Sequence, residues 1–508
     1  MKLTSHLLNF CRTRKKLFHY LITLFVIVGC SNNEPPADPF STIDKSNYLP
    51  DYMVEKMSLI KDIDQYLELI NEVHCDPYRL ISYSDLRRDA DSLKSEILSL
   101  PLDSIHILDC YYFLQLLASQ INDGHTMIRK PPNWVKLFPS IFPLIIQELN
   151  DTSIIIKDLG KEQIPKNAEL ISINGYKIKE MKARSIKYIS RTLKDYRNVA
   201  WAKEFPFLLQ TYFKFQSPWI IEYKFEKEVF HDTIKGLSPK EYIDKSRNKY
   251  YSNLINIKTA LIDSVNIPIL EVNAFNYNSY PVYTSMIDSF FTINKNRKNL
   301  VIDVRDNPGG NGLWSMYILD YFTNTEYLTY NVYKNRISRQ FKKWAKYQLN
   351  SSYYSQGKSP FLFWYYRLIE HELYFKDILK SKNQEYVELD EQFQNPHQKT
   401  YDGSVYLLVS ERTFSAGVVF ASIFKCAKMG IVVGKESGGR IGFNCDPIDI
   451  ELKNTKLTAK IPTAILVLPC GDPDSGLIPD IPVNITINEM QNNIDPYLLK
   501  IIEEIKKN

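Results

Sequence analysis

The stretch from Val405 to Met429 constrains the fold more than any other part of the sequence. Val405–Val409 is a run rich in β-branched and aromatic side chains, which predicts a buried strand. From Gly417 onward apolar residues recur at helical spacing, so a helix is predicted to follow almost at once. Ser415 lies at the turn between them. The sequence therefore predicts a rigid strand–turn–helix corner that presents a serine hydroxyl.

Ser415 has two possible roles at such a corner. The first-turn N–H groups of the helix, including that of Ala416, have no helical partner and can hold a negatively charged oxygen. With its hydroxyl fixed beside them, Ser415 is a candidate nucleophile and Ala416 a candidate oxyanion donor. The alternative is a serine that only caps the helix. This stretch alone does not decide between the two roles.

A second strand-to-turn unit precedes this corner. The run Asn299–Arg305 predicts a buried strand, and the sequence DNPGG at residues 306–310 follows it. Its glycines suit a loop that presents backbone N–H groups to an anion, so Gly309 and Gly310 are further candidate oxyanion donors. The loop lacks the Gly-Lys-Ser/Thr ending of a nucleotide-binding loop and the GxGxxG spacing. The alternative is a tight connection with no chemical role.

The N-terminal part of the chain contains a candidate base. Apolar periodicity predicts helices between about Tyr48 and Ser119, and the motif DGHT follows at residues 123–126. Asp-Gly is a turn signal, so we expect His125 at the exit of a turn. Gly124 has no side chain and allows another segment to approach the imidazole closely. His125 is either functional or an ordinary loop histidine.

A β-rich segment comes next. Strands are predicted at residues 142–146, 152–156, 168–173 and 219–225. Asn174-Gly175, between two apolar runs, is a strong hairpin signal. The pattern resembles the hairpin of PDZ-like domains, which often bind a peptide by adding it to a sheet edge. An ordinary hairpin with an Asn-Gly turn is the alternative.

The composition is that of a globular protein, with 44% hydrophobic and 24% charged residues among 508. A net charge of +5 without a sustained basic face argues against nucleic-acid binding. The seven cysteines show no CxxC or Cys/His spacing, so no metal site is predicted and no cofactor is implied. An exported compartment permits disulfides, and Cys445 and Cys470 flank strands that are candidates for neighbours.

The N-terminus has the pattern of an export signal. Basic residues at positions 2, 12 and 14–16 precede the apolar stretch Leu17–Val28, which is too short to span a bilayer securely. The box IVGC at residues 27–30 resembles a bacterial lipoprotein signal, whose cleavage would leave a lipidated Cys30. We therefore expect a protein anchored by lipid to a membrane of the cell envelope. An uncleaved anchor or a chance cysteine is the alternative.

Separated motifs occur in an order that resembles one enzyme family. They are DGHT at residues 123–126, DVRDNPGG at 303–310 and TFSA at 413–416, with GKESGG at 434–439 and GLIPDIPV at 476–483 downstream. The set is similar to C-terminal processing (tail-specific) peptidases and to the tricorn core peptidase. The resemblance implies a serine peptidase with Ser415 as nucleophile and a crotonase/ClpP-like α/β spiral as its catalytic core.

The residues choose between two catalytic styles that the resemblance allows. In the processing-peptidase style a lysine activates the serine, but its place falls here on Arg440, and arginine does not deprotonate in a protein. In the tricorn-like style the base is the histidine of DGHT, and His125 matches it. The acid that should orient this histidine has no clean equivalent. Asp472 and Asp474 lie beside the matching place, and Glu436 is a further candidate.

We predict five parts of the chain: a signal peptide at 1–30, a flexible tether at 31–47, a helical unit with DGHT at 48–135, a PDZ-like β domain at 136–265 and a peptidase core at 266–508. An aromatic-rich insertion at about 320–400 is either a lid or ordinary packing. The predicted function is cleavage of peptide or protein substrates by an exported, lipid-anchored serine peptidase. The alternative is a non-catalytic ligand- or peptide-binding lipoprotein on the same scaffold.

Overall fold

The computed structural model describes residues 49–160, 164–191, 193–250, 254–262, 264–275, 280–355, 377–389, 392–394, 401–487 and 495–507, besides residues 396 and 489. Two compact units divide the chain. Residues 40–342 and 381–508 form one unit, which holds all the described sheets. Residues 1–39 and 343–380 form the other, of which residues 343–355 and 377–380 are described and are mostly helical.

Helices and strands are mixed along the described chain. The helices are α1 (Lys56–Val73), α2 (Tyr83–Ser99), α3 (Ile107–Gln120), α4 (Ile178–Ser185), α5 (Lys194–Thr211), α6 (Pro239–Tyr250), α7 (Tyr280–Asn294), α8 (Gly312–Leu319), α9 (Arg339–Ser355), α10 (Ala416–Cys426) and α11 (Pro496–Lys507), with short 3-10 segments at Trp134–Leu137 and Ile186–Tyr188. The strands are β1 (Met53–Glu55), β2 (Ser104–His106), β3 (Met127–Arg129), β4 (Leu144–Leu149), β5 (Thr152–Asp158), β6 (Glu169–Ile173), β7 (Tyr176–Lys177), β8 (Trp219–Phe225), β9 (Glu228–Ile234), β10 (Ile255–Ile262), β11 (Val265–Val272), β12 (Asn299–Asp303), β13 (Tyr327–Tyr330), β14 (Val332–Arg336), β15 (Tyr386–Leu389), β16 (Gln392–Gln394), β17 (Ser404–Val409), β18 (Ile431–Gly434), β19 (Gly442–Glu451), β20 (Thr458–Val467) and β21 (Ile481–Pro482).

One sheet carries the serine corner. Its described strands run in the order β10-β11-β12-β17-β18-β21, and all neighbours are parallel except β10 and β11. Side chains of α7, α8 and α10 pack on one face and side chains of α11 on the other, so β17 is buried on both faces, as its continuous apolar run predicted. Asp303 of β12 lies opposite Leu408 of β17. The loops that follow these two parallel strands therefore lie at the same sheet edge.

A second sheet joins the DGHT motif to the C-terminal part of the chain. Its strand order is β15-β14-β20-β19, and β3 pairs with β20 in antiparallel register. Met127, two residues after His125, lies opposite Lys460. Because β3 begins directly after the motif, this pairing fixes where the histidine lies relative to the rest of the second sheet.

The β-rich segment forms a third sheet with the order β4-β5-β6-β8-β9, and β7 pairs with β6. The predicted Asn-Gly hairpin is confirmed, because Ile173 lies opposite Tyr176 across the turn. The core of this sheet is aromatic, with Phe142, Trp201 and Trp219 fully buried. Such burial explains part of the high aromatic content without a ligand.

The predicted Cys445–Cys470 disulfide is wrong. Cys470 is bonded instead to Cys426, whose Cα lies 5.5 Å away at the end of α10. The side chain of Cys445 on β19 is buried in the apolar core and remains a free thiol. The strand register places Cys445 opposite Ala464, six residues before Cys470, whereas Cys470 meets the end of α10.

Several predicted features lie outside the described residues. They are the signal peptide with Cys30, the tether at 31–47 and the aromatic residues of the insertion between 356 and 376. Among the helices that the structure does describe, none combines the length and the apolar character that crossing a bilayer requires.

Candidate active site

Ser415 occupies a strained corner between β17 and α10. Its backbone has φ 52° and ψ −122°, a region that costs a non-glycine residue on the order of 1–3 kcal/mol. The flanking backbone holds it there, since the N–H of Phe414 donates to the carbonyl of Asn307 at 2.9 Å. The hydroxyl is at the cap position of α10 but makes no capping hydrogen bond. The serine side chain is therefore available for another partner.

That partner is His125. Its Nε2 lies 3.2 Å from Oγ of Ser415, although 290 positions separate the two residues in the sequence. The imidazole stacks on the rings of Phe414 and Phe443, with centroids 4.9 and 5.8 Å away. A Cβ on Gly124 would lie 2.6 Å from the Phe414 ring, which confirms that this glycine permits a close approach. The two predicted side chains meet, and two aromatic rings stack on the imidazole.

The surroundings of His125 keep its imidazole neutral. The pKa of His125 is lowered to about 4 overall: burial is the largest cause, the carboxylate of Asp123 opposes it, and the positive charges of Lys460 and Arg191 add to it. The backbone carbonyl of Asn444 also interacts with the imidazole and raises its pKa. Among the described residues, Nδ1 nevertheless has no partner at hydrogen-bond geometry. At neutral pH the ring can therefore accept a proton.

The structure does not bring the predicted acids to this histidine. Asp474 is exposed and pairs with Arg79 at 2.6 Å, and Asp472 accepts hydrogen bonds from Ser475 Oγ and from the N–H of Asp474. Glu436 accepts from the N–H of Gly476 at 2.7 Å. Asp472 stabilises its own loop, whereas Asp474 and Glu436 bind groups from distant parts of the chain, and among the described residues neither aspartate is hydrogen-bonded to His125.

The three candidate oxyanion donors are not equivalent. The N–H of Gly309 donates to Oδ1 of Asn307 at 2.8 Å, so this donor is already used. Within the described part of the chain, the N–H groups of Gly310 and Ala416 donate no hydrogen bond. Gly309 instead has a steric role: a Cβ there would lie 2.7 Å from Cβ of Ser415. The prediction of Gly309 as a donor is not supported, whereas Gly310 and Ala416 remain available.

Sequence reasoning missed the residues that hold the two loops together. Asn307 donates from Nδ2 to the carbonyl of Val272 at 2.9 Å and accepts from the N–H groups of Phe414 and Gly309. Thr413 donates from Oγ1 to the carbonyl of Val304 at 2.9 Å. An asparagine two residues before a glycine is a recognisable Asx-turn signal, so the contact to Gly309 was open to prediction.

A groove beside the imidazole is open to solvent. Its walls include Leu80, Phe414 and Phe443, with Arg79 and Arg440 among the polar residues. Arg440, at the place of the lysine in the other catalytic style, lies 3.5 Å from Asp474 rather than at the serine. In the described ranges, no group of three or more His, Cys, Asp and Glu side chains is arranged to hold a metal ion.

Comparison with known proteins adds the family. Residues 266–483 match the model of peptidase family S41. These residues belong to peptidase family S41. The S41 match includes Ser415 and Gly309, whereas the DGHT motif lies before it. The chain is a serine-type peptidase that acts on peptide or protein substrates.

Solved structures agree with the S41 assignment at the level of the fold. Mature CPAF complexed with lactacystin aligns with a TM-score of 0.66 at 14% identity, covering 89% of this chain and 98% of that chain. A second structure of mature CPAF aligns with a TM-score of 0.60 at 14% identity, covering 89% and 97%. No curated protein matches the sequence. The predicted α/β core with its helical unit and PDZ-like domain is confirmed.

We expect Gly309→Ala to lower kcat by about 10²-fold, because the new methyl group displaces Ser415 and a shift of about 1 Å has that effect. The variant also places alanine at φ +109°, so a stability loss on the order of 1–3 kcal/mol accompanies it. Gly175→Ala is the matched control, since φ is +80° but no atom lies within 4 Å of the new Cβ. Steady-state kinetics and thermal unfolding of both variants separate the two effects. Equal kcat values in the two variants would contradict the steric role of Gly309.

Proposed function

We propose that this chain is an exported, lipid-anchored serine peptidase in which Ser415 attacks the peptide carbonyl and His125 is the base. The observation that supports the pair is the distance of 3.2 Å between Ser415 Oγ and His125 Nε2. The strained backbone of Ser415 is a second support, because strain of this kind concentrates at functional sites.

The proposed reaction has two stages. His125 Nε2 takes the hydroxyl proton as Ser415 Oγ bonds to the carbonyl carbon, and the N–H groups of Ala416 and Gly310 hold the oxyanion. The carbon–nitrogen bond then breaks, and the imidazolium gives its proton to the leaving amine. In the second stage a water molecule attacks the acyl-enzyme with His125 again as base, which releases the acid product and the free serine.

The lipid anchor rests on the sequence alone. The basic residues, the apolar stretch Leu17–Val28 and the box ending in Cys30 support export and acylation. We accordingly place the peptidase at a membrane of the cell envelope. Growth with a labelled fatty acid should label the wild-type protein but not Cys30→Ser. Equal labelling of both proteins would exclude Cys30 as the site.

Covalent labelling with a fluorophosphonate tests the nucleophile. The purified wild-type protein should react at Ser415, as mapped by mass spectrometry, and Ser415→Ala should not react. Ser422→Ala is the matched control, because Ser422 is a buried serine on the same helix whose hydroxyl has no hydrogen-bond partner in the described part of the chain. It should label like the wild type. A wild-type protein that binds peptides but does not react would instead indicate the non-catalytic alternative.

The pH profile of kcat/KM reports the pKa of the base in the free enzyme. The pKa of His125 is lowered from its ordinary value of 6.5 to about 4, so the imidazole stays deprotonated at pH values well below 6.5. We therefore expect the acid limb of kcat/KM near pH 4. Lys460→Met removes a positive charge that lowers this pKa and should move the limb to higher pH. An acid limb near pH 6.5 in the wild type, or no movement in the variant, would contradict this account.

A further inference from the structure

A buried polar network connects the end of α1 with the backbone of His125. His74, Asp123 and Thr126 form it, and their exposed fractions are 0%, 7% and 0%. Nε2 of His74 lies 2.9 Å from Oγ1 of Thr126 and 3.5 Å from Oδ2 of Asp123. Burying a polar atom costs free energy of folding unless the atom is hydrogen-bonded, so each member of the network needs a partner.

The hydrogen bonds of the network have one consistent direction. The N–H of Asp76 donates to Nδ1 of His74 at 3.1 Å, which leaves the imidazole proton on Nε2. That proton is donated to Thr126, whose hydroxyl donates in turn to Oδ2 of Asp123 at 2.6 Å. Oδ1 of Asp123 accepts from the N–H of His125 at 3.2 Å. The tautomer of His74 therefore determines how the backbone of His125 is held.

We propose that His74 is a positioning residue, which acts through Thr126 and Asp123 to keep Nε2 of His125 at hydrogen-bond distance from Ser415. This inference rests on the proposed function of the Ser415–His125 pair. Neither predicted aspartate is bonded to Nδ1 of the catalytic imidazole, so its orientation depends on its backbone, on the two stacked phenylalanine rings and on the nearby carbonyl of Asn444. His74 replaces the orienting contact that an acid commonly supplies to the ring itself.

The network also holds a negative charge near the imidazole. Burial by itself raises the pKa of Asp123, but the His74 imidazole 3.5 Å away, the interaction with His125 and the hydrogen bond from Thr126 lower it below its ordinary value overall. Asp123 is therefore ionised at neutral pH, and its charge favours the imidazolium that forms when His125 takes the serine proton. A residue that fixes Asp123 thus affects both the position and the charge balance of the base.

The test compares two histidines with the same local bonding. His106 also accepts an N–H from two residues ahead, at 3.2 Å from Leu108, and its Nε2 lies 3.3 Å from Asp51. We expect His74→Leu to lower kcat by about 10²-fold with KM changed by less than about 3-fold, because the change affects positioning and not substrate contact. His74→Gln keeps an N–H donor and should retain at least about a tenth of wild-type kcat. His106→Leu should leave kcat within about 2-fold, whatever it does to the thermal midpoint.

A second variant keeps the test decisive if His74→Leu does not fold. Thr126→Val has nearly the same shape and removes only the hydroxyl relay, so its kcat should fall similarly, whereas Thr126→Ser should restore it. Unchanged kcat in folded His74→Leu or Thr126→Val, or an equal loss in His106→Leu, would overturn the inference. Fluorophosphonate labelling separates the hypotheses. If the wild type does not react, the proposed function fails as well. If the wild type and the His74 variant react at equal rates, only the positioning role fails.

Discussion

Ser415→Ala is expected to lower kcat by at least about 10⁴-fold while the protein stays folded, because the variant lacks the atom that would attack the carbonyl carbon. Stability should hold, since the hydroxyl caps no helix N–H and its described partner is His125. The backbone strain at φ 52° remains in the variant, because alanine has a Cβ as serine does. Peptide hydrolysis and thermal unfolding, measured on the same preparations, check both expectations.

Ser422→Ala again provides the matched comparison. It removes a hydroxyl that is buried without a partner, so both kcat and stability should stay close to those of the wild type. Residual activity of Ser415→Ala above about a hundredth of the wild type would assign the nucleophile to another residue. Loss of folding in Ser415→Ala would contradict our reading of the corner as structurally independent of the hydroxyl.

His125→Asn should lower kcat by about 10³- to 10⁴-fold, and the double variant Ser415→Ala/His125→Asn should be no worse than Ser415→Ala alone. The reason is that the two residues act as one unit: without its base the hydroxyl is a weak nucleophile, and without the hydroxyl the base has no proton to take. A double-mutant cycle of kcat/KM measures this coupling directly.

Additive effects in that cycle would mean that the contact of 3.2 Å has no role in the reaction. Phe443→Leu is a useful companion variant, since it removes one stacked ring and leaves both reacting atoms in place. A smaller loss than in His125→Asn is expected there. If kcat fell equally in Phe443→Leu and His125→Asn, ring stacking rather than proton transfer would be the main contribution of His125.

The features predicted best from the sequence are those that neighbouring residues determine by themselves. The serine corner follows from one apolar run, one short turn and one helical period, and the Asn174-Gly175 hairpin follows from its turn type. The match of His125 to DGHT indicated the proposed base, but not the strand pairing that fixes its place. The acids were predicted from their place in the chain, and that place could not reveal that Asp472 binds within its own loop or that Asp474 pairs with Arg79. His74 was missed because its partners are about fifty residues away.

The disulfide partner and the oxyanion donors likewise depended on contacts that local sequence patterns do not show. Cys445 was paired with Cys470 because the two flank predicted strands, but the register puts Cys445 opposite Ala464, and Cys470 bonds to Cys426 at the end of α10. The N–H of Gly309 was assigned to an oxyanion from the glycine pattern, while a local contact to Asn307 already uses it. The position of a residue in the sequence suggests which groups are near, whereas strand register and local hydrogen bonds decide what each group binds.

The pairing of β3 with β20 has a consequence for the timing of activity during synthesis. His125 leaves the ribosome 290 residues ahead of Ser415. The two side chains become neighbours only after β20 has been synthesised and has paired with β3. A nascent chain therefore carries either no Ser415 or a Ser415 that lacks its proposed base. Assembly of the proposed catalytic pair therefore waits for the completion of the second sheet.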